Sequence, residues 1–134
     1  MTPYNIRILT PEKIFYDGRT EQIVAKTSAG NVGILAGHSP YVANLVASPL
    51  KVKIDGEFRV AAISDGVIKV SADGTVTVLS SAIEWADEID VERARKAKEY
   101  AERKIKENAS RREFDLAEQK LKRALNRLVV AGKS

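Results

Sequence analysis

Near Trp85 the hydrophobic pattern changes its period, and that change divides the chain into two units of different class. Upstream, apolar residues alternate with polar ones. Leu50, Val52 and Ile54 interleave with Lys51, Lys53 and Asp55, while Phe58, Val60 and Ala62 are expected inside with Glu57 and Arg59 opposite. Ile68 and Val70 follow, then Val76 and Val78 between threonines; Tyr4, Ile6 and Ile8 open the series, and Gln22–Lys26 and Asn31–Leu35 suit further strands. Period-two alternation buries one face of each strand. Four Asp-Gly pairs, at 17–18, 55–56, 65–66 and 73–74, suit tight turns that need positive φ. Many short strands with close turns predict a sandwich or flattened barrel, and the sandwich is the reading adopted.

Downstream, residues from Asp90 onward contain no proline and no glycine until Gly132. Apolar positions 94, 97, 101 and 105 recur at helical spacing with Asp90 placed as N-cap. The polar break Glu107-Asn108-Ala109 ends this helix, and Ser110-Arg111-Arg112-Glu113 matches a capping box that opens a second. Phe114, Ala117, Leu121, Ala124, Leu125 and Leu128 form its apolar face, and Gly132 its stop. The expected fold is therefore an all-β N-terminal sandwich over 1–86 and an α-helical hairpin over 87–134. The first helix offers mainly Ala94, Ala97 and Ala101, which have little surface to bury. Such a hairpin either stays marginal and open to bias by a ligand, or docks on the sandwich through Phe114 and Leu121.

Charge follows the same boundary. Of 22 Lys/Arg and 18 Asp/Glu, eight of each fall in residues 1–86, leaving fourteen and ten in 87–134, so the second unit holds the whole excess of +4. A basic appendage on a neutral body suits an anionic partner. No run of eighteen apolar residues predicts a membrane span, and Met1-Thr2-Pro3-Tyr4-Asn5 does not begin like a signal peptide. With no cysteine and one histidine, thiolate and multi-histidine metal sites are excluded. There is no G-x-S-x-G, H-E-x-x-H, Walker A or dinucleotide fingerprint, so no catalytic residue is assigned. Gly30, Gly33 and Gly37 suit a bending strand, and His38 a turn ahead of Pro40.

On the second helix Lys120, Arg123 and Arg127 share a face, with Arg123 and Arg127 one turn apart. Paired guanidinium forks can grip phosphate or carboxylate oxygens, although such stripes are commonly just solvated faces. An antiparallel hairpin brings Arg93 toward Arg127, and free amides at a helix start attract anions.

Gly30-Asn31-Val32-Gly33-Ile34-Leu35-Ala36-Gly37-His38-Ser39-Pro40 resembles the signature of the ε subunit of bacterial F-type ATP synthases. Ile89-Asp90-Val91-Glu92-Arg93-Ala94 resembles the segment that helps bind ATP in Bacillus-type members. The resemblance covers essentially the full chain. It implies a sandwich of about ten strands and a helix-turn-helix. It further implies a non-catalytic rotor subunit that meets the γ subunit and the c-ring and sits peripherally at the cytoplasmic face of the cell membrane. The hairpin would inhibit ATP hydrolysis by extending toward the β (and α) subunits, and bound ATP would hold it compact. Carried over by position, the ATP-binding residues are Glu84, Ile89, Asp90, Arg93, Ala94, Arg123 and Arg127, with or without magnesium. Tyr100 departs from the pattern, standing where those relatives have an arginine. A rival reading is a basic helical nucleic-acid-binding or adaptor module. Ten acids among the tail's charges and no aromatic row make a poor phosphate-tracking surface, so no nucleic-acid partner is expected.

Overall fold

Apolar side chains at every second position decide how residues of the first unit pair. The computed structural model describes residues 1–107 and 110–132, so Asn108 and Ala109 of the anticipated polar break lie outside the described residues. The chain separates into Met1–Trp85 and Ala86–Ser134. The first unit contains, among the described residues, ten strands: β1 (Tyr4–Leu9), β2 (Ile14–Thr20), β3 (Gln22–Thr27), β4 (Gly30–Ile34), β5 (Tyr41–Leu45), β6 (Ser48–Ile54), β7 (Glu57–Ile63), β8 (Gly66–Val70), β9 (Val76–Ser80) and β10 (Ile83–Trp85). They run in the order β10-β7-β6-β3-β5-β8-β9-β1-β2, with β4 also on β3. Only the pair Thr27–Leu45 joins β3 to β5, so the ladder folds over itself there. β1 lies parallel to β9, with Ile6 opposite Val76 and Ile8 opposite Val78. The layers enclose Ile6, Ile8, Ile23, Leu50, Val52, Ile68, Val70, Val76 and Val78, all essentially buried. This is the expected sandwich, in a nearly barrel-like form.

Two details correct the sequence reading. The inward phase of β7 is shifted by one residue. Leu50 pairs with Ala61 and Val52 with Arg59, and directly paired residues share a face. Ala61 and Ile63 therefore point into the core, while Phe58 is exposed. Arg59 follows the inner phase at the rim and stacks 3.9 Å from the Trp85 ring centre. The second correction concerns the Asp-Gly pairs. Asp55 (φ 51°) and Gly56 (φ 83°) make the β6–β7 hairpin turn, and Gly74 (φ 88°) serves β8–β9. Asp17-Gly18 instead lies inside β2, opposite Arg7 and Ile6. There the Tyr16 ring covers the bare glycine, and Asp17 reaches Arg7 at 3.7 Å. Asp65-Gly66 links β7 to β8, which pair with other strands and form no hairpin with each other.

Buried hydroxyls of the sandwich find backbone acceptors. The Tyr4 hydroxyl donates to the Ile34 carbonyl at 2.5 Å, and burial pushes its phenol up to about 12. Thr20 Oγ1 donates to Lys53 O at 2.7 Å and Thr27 Oγ1 to Gly30 O at 2.7 Å.

The second unit begins with a 3-10 turn, Ala86–Glu88, and continues as α1 (Val91–Lys106) and α2 (Arg111–Val130). Asp90 caps α1, its Oδ1 accepting from Arg93 N at 3.0 Å. Ser110 caps α2, its Oγ accepting from Glu113 N at 3.3 Å, the serine half of the expected box. Ala131 and then Gly132 (φ 76°) close it. Ser110→Ala should cost the hairpin about 1 kcal/mol. Amide exchange in the first turns of α2 is expected to quicken several-fold; unaltered exchange would show that this cap contributes nothing.

The helices meet along small residues. Ala94 and Ala101 on α1, and Ala117 and Ala124 on α2, are buried and seven residues apart on each helix. Two heptad-spaced alanines per helix let the backbones approach toward the short end of the usual interaxial range, about 8 Å. Leu128 is buried with them, whereas Phe114, Leu116, Leu125 and Val129 remain 37–54% exposed. Exposed ion pairs three or four residues apart, such as Arg95–Glu92 at 2.9 Å, add little to the helices.

Candidate functional site

Heptad geometry explains which side chains gather beside the alanine seam. On α1, Arg93 and Tyr100 each precede a seam alanine, and Lys104 follows Ala101 by three residues. On α2, Leu116 and Arg123 each precede a seam alanine, and Lys120 and Arg127 each follow one by three. At 3.6 residues per turn these positions fall on one side of each helix. A groove of about 250 Å³ lies between them, lined by Tyr100, Ala101 and Lys104 on α1 and by Glu113, Leu116, Ala117 and Lys120 on α2. Residues that line one groove are neighbours across the seam, so the α1 stretch Tyr100–Lys104 runs beside the α2 stretch Glu113–Lys120. Continuing that antiparallel register toward the start of α1 brings Asp90 and Arg93 level with the turn that carries Ala124 and Arg127.

The predicted residues distribute as follows. Ile89 is buried just before the helix, and Asp90 is committed to the cap. Arg93 is exposed on the first turn, and Ala94 is wholly buried in the seam. Arg123 is exposed, while Arg127 is half-buried with its Nε inaccessible to solvent. Six of the seven thus belong to the helical unit, and heptad position puts its three arginines on the same side of their helices. Glu84 belongs to the other unit, on β10, paired opposite Ala62. Because Asp90 already accepts one free amide of α1, the helix start alone offers less to an anion than an uncapped end would. Guanidinium groups are the stronger part of the site.

Sequence reasoning missed Lys104 and Leu116, and placed Glu113 only as a capping residue. The available signal was an aromatic residue, Tyr100, one heptad after Arg93 in a helix otherwise rich in charge. Lys104 is held above its ordinary value first by its hydrogen bond to Glu107 at 3.3 Å and by that carboxylate's charge, with Tyr100 and Glu113 adding to it. Its ammonium also lies 5.6 Å from the Tyr100 ring centre.

In the sandwich, the segment Gly30–Pro40 forms β4 and a turn. Gly37 has φ 79°, His38 N donates to Leu35 O at 3.2 Å, and His38 Nδ1 lies 2.7 Å from Ser39 O. His38 packs edge-on to Tyr41 at 5.6 Å, the turn role expected for it. Among the described residues no cluster of three His, Cys, Asp or Glu is placed to hold a metal ion. No described helix is long and apolar enough to cross a membrane.

A β-sandwich unit followed by a basic, groove-bearing helical hairpin defines a chain built in two parts, one all-β and one α-helical. Residues 3–86 match the family described as ATP synthase, Delta/Epsilon chain, beta-sandwich domain, and residues 87–132 match its long alpha-helix domain. The chain is 60% identical over 133 residues to the ATP synthase epsilon chain of Ruminococcus albus, covering 99% of each. It is 39% identical to that of Bacillus velezensis, covering 98% of this chain and 99% of the other. A chain of the Euglena gracilis mitochondrial ATP synthase (OSCP/F1/c-ring, rotational state 1) superposes with a TM-score of 0.77 at 25% identity, covering 87% of this chain and 74% of that one. A chain of the Tetrahymena thermophila central stalk/c-ring structure has the same fold, with a TM-score of 0.66 at 17% identity and 95% coverage of both. The protein belongs to the ATP synthase delta/epsilon chain family, in both of its domains. Like the epsilon chains it matches, it is a non-catalytic subunit.

Proposed function

We propose that the chain works in the central stalk of an F-type ATP synthase as a peripheral rotor subunit at the cytoplasmic face of the membrane, and that its hairpin is an ATP-responsive brake on hydrolysis. The Euglena assembly that contains the similar chain also contains F1 and a c-ring. The outer face of β5, β8 and β9 exposes Val42, Val67 and Leu79; Val67 and Leu79 are direct cross-strand partners, and Val42 shares their side. An exposed apolar strip on a sheet otherwise well buried suits a constant partner, and γ is the partner assigned to it. The c-ring is the other rotor partner on this reading.

The observation that carries the ATP reading is the collection of Arg93, Arg123 and Arg127 on one side of a hairpin whose seam is alanine. Closed, that side would hold the triphosphate of ATP, with or without magnesium. On this reading Asp90, through its cap, and Ala94, through its burial in the seam, shape the start of α1 beside Ile89. Open, the same cations and the exposed Phe114, Leu125 and Val129 would be available to β and α subunits of the catalytic head. Binding to the closed form alone stabilises it by RT ln(1 + [ATP]/Kd), about 2.7 kcal/mol at a hundredfold excess.

ATP is therefore expected to raise the melting temperature of the isolated chain by several degrees. Arg123→Ala or Arg127→Ala should weaken ATP binding about tenfold and shrink the rise. A melting curve indifferent to millimolar ATP would remove the switch and leave the rotor role standing.

A further inference from the structure

We propose that the side chains packed around Trp85 form a clasp that joins the two free edges of the sandwich ladder and anchors its last strand, so that opening of the hairpin is not passed into the strands. The inference rests on the proposed opening of the hairpin and on nothing about its ligand.

β10 and β2 stand at the two ends of the strand order, and they do not pair with each other. Such ends leave backbone groups without a neighbouring strand. Side chains join them instead. Trp85, the last residue of β10, is buried, and its ring centre lies 4.8 Å from that of Phe15 and 6.3 Å from that of Tyr16, which meets it edge-on. Both rings come from β2, although consecutive residues of a strand ordinarily face opposite ways. The reason is a bulge. Ile8 pairs with Tyr16 and Leu9 with Ile14, which leaves Phe15 as the extra residue. A bulge re-aims the side chains beside it, and this one lets two consecutive rings reach one indole. Arg59 completes the set. It stands two residues before Ala61 on β7 and so follows the same face, while the ladder with β10 ends where Ala61 pairs with Trp85. Its guanidinium reaches past that last rung and lies over the indole, 3.9 Å from the ring centre.

The clasp sits where load would enter. β10 has three residues and, among the described strands, pairs with β7 alone, by the rungs Ile83–Ile63, Glu84–Ala62 and Trp85–Ala61. Ala86, the next residue, already belongs to the helical unit. A pull on that unit would fray so short an edge strand from its Trp85 end. The side chain on that first rung is the one that Phe15, Tyr16 and Arg59 hold. An aromatic cluster with a cation over its central ring supplies there the strength that three backbone rungs lack.

Trp85 is the chain's one tryptophan, so its fluorescence reads the clasp directly. The test is time-resolved anisotropy of Trp85, with amide exchange, in the full chain and in Arg59→Ala, Phe15→Leu and Ala124→Leu. In the wild type the indole should turn only with the molecule. Arg59→Ala and Phe15→Leu should each add a nanosecond local motion and quicken exchange in β10 about 3- to 10-fold, while amides at Ile68 and Val78 keep their protection. Unaltered anisotropy and exchange in both variants would show that strand pairing alone fixes Trp85, and the clasp would be lost. Ala124→Leu, which overfills the alanine seam, should leave Trp85 as still as in the wild type. Local motion of the indole there, together with faster exchange in the helices, would mean that opening reaches the strands and would overturn the anchor. Helices that exchange no faster in Ala124→Leu would count against the opening itself, while Arg59→Ala and Phe15→Leu still decide the clasp.

Discussion

Gly66→Ala is expected to destabilise the sandwich by about 3 kcal/mol, lowering its urea midpoint by roughly 1–3 M. Gly66 opens β8, between β5 and β9, opposite Leu45 on one side and Ser80 on the other. A Cβ built there would collide with the Leu79 carbonyl oxygen and sit 2.9 Å from both the Leu79 carbonyl carbon and Ser80 Cα. All three are backbone atoms of a neighbouring central strand, so no rotamer change relieves the clash; the ladder itself must move. That ladder is pinned nearby by buried Ser80, whose hydroxyl donates to the Ser64 and Ala82 carbonyls at 3.2 and 3.1 Å. Gly18→Ala is the informative contrast. Its Cβ would meet the Tyr16 ring, with the hydroxyl at 2.9 Å, and a partly exposed side chain can swing aside at a cost below about 1 kcal/mol. Both glycines stand in strands, so backbone freedom is not what separates them. Similar midpoints for the two variants would show that the β8–β9 ladder yields far more readily than its burial implies.

The same two glycines mark the limit of reading this fold from its residues. Asp-Gly is a turn signal because it tolerates positive φ, and at Asp55-Gly56 that preference decides the conformation. At Asp17-Gly18 the preference loses to pairing with β1 on one flank and cover by Tyr16 above, neither of which is a local property. The shifted phase of β7 has a similar origin. Phe58, Val60 and Ala62 alternate as well as Ala61 and Ile63 do, and only the register against Leu50 and Val52 decides between them. Strands with clear one-sided patterns, such as Tyr4–Leu9 and Val76–Ser80, were legible because all but one of their apolar residues fall in a single phase. β2, β5 and β10 were not, since their apolar residues are few or half exposed.

The helical unit was more legible because its information is local. Asp90, Ser110 and Gly132 act on backbone groups within one turn, so boundaries followed from residue type alone. For the site, Arg123 and Arg127 were visible from spacing, whereas the roster that adds Glu84, Ile89 and Ala94 came from family resemblance. Among these, Ala94 acts in the structure as a packing residue. The groove at Tyr100 could not be seen beforehand, because it depends on the register between helices. That register is set where alanines leave room, and it decides that Lys104 and Glu113 line the same groove.

Ala124→Leu is the second large effect expected, and it tests the seam as the element that holds the hairpin shut. Leucine is nearly as good a helix former as alanine, so α2 itself should persist. Ala124 is almost wholly buried, and three added carbons cannot fit between two closely approached backbones without parting them. Overpacking of this kind costs about 1–3 kcal/mol, which raises the hairpin's opening constant roughly 5- to 150-fold. Hydrogen exchange should quicken by that factor at seam amides of both helices, while sandwich amides at Ile6, Ile68 and Val78 keep their protection. Unchanged exchange in the helices would mean that contacts other than the alanine seam hold them together. Ligand response then follows from the same equilibrium. If ATP binds only the closed hairpin, apparent affinity falls in proportion to the closed fraction. Saturating ATP, worth about 2.7 kcal/mol at a hundredfold excess, should restore most of the lost protection. A seam of leucines would hold the hairpin beyond the reach of that term. Alanines leave the closing energy within the range of the ATP term proposed above.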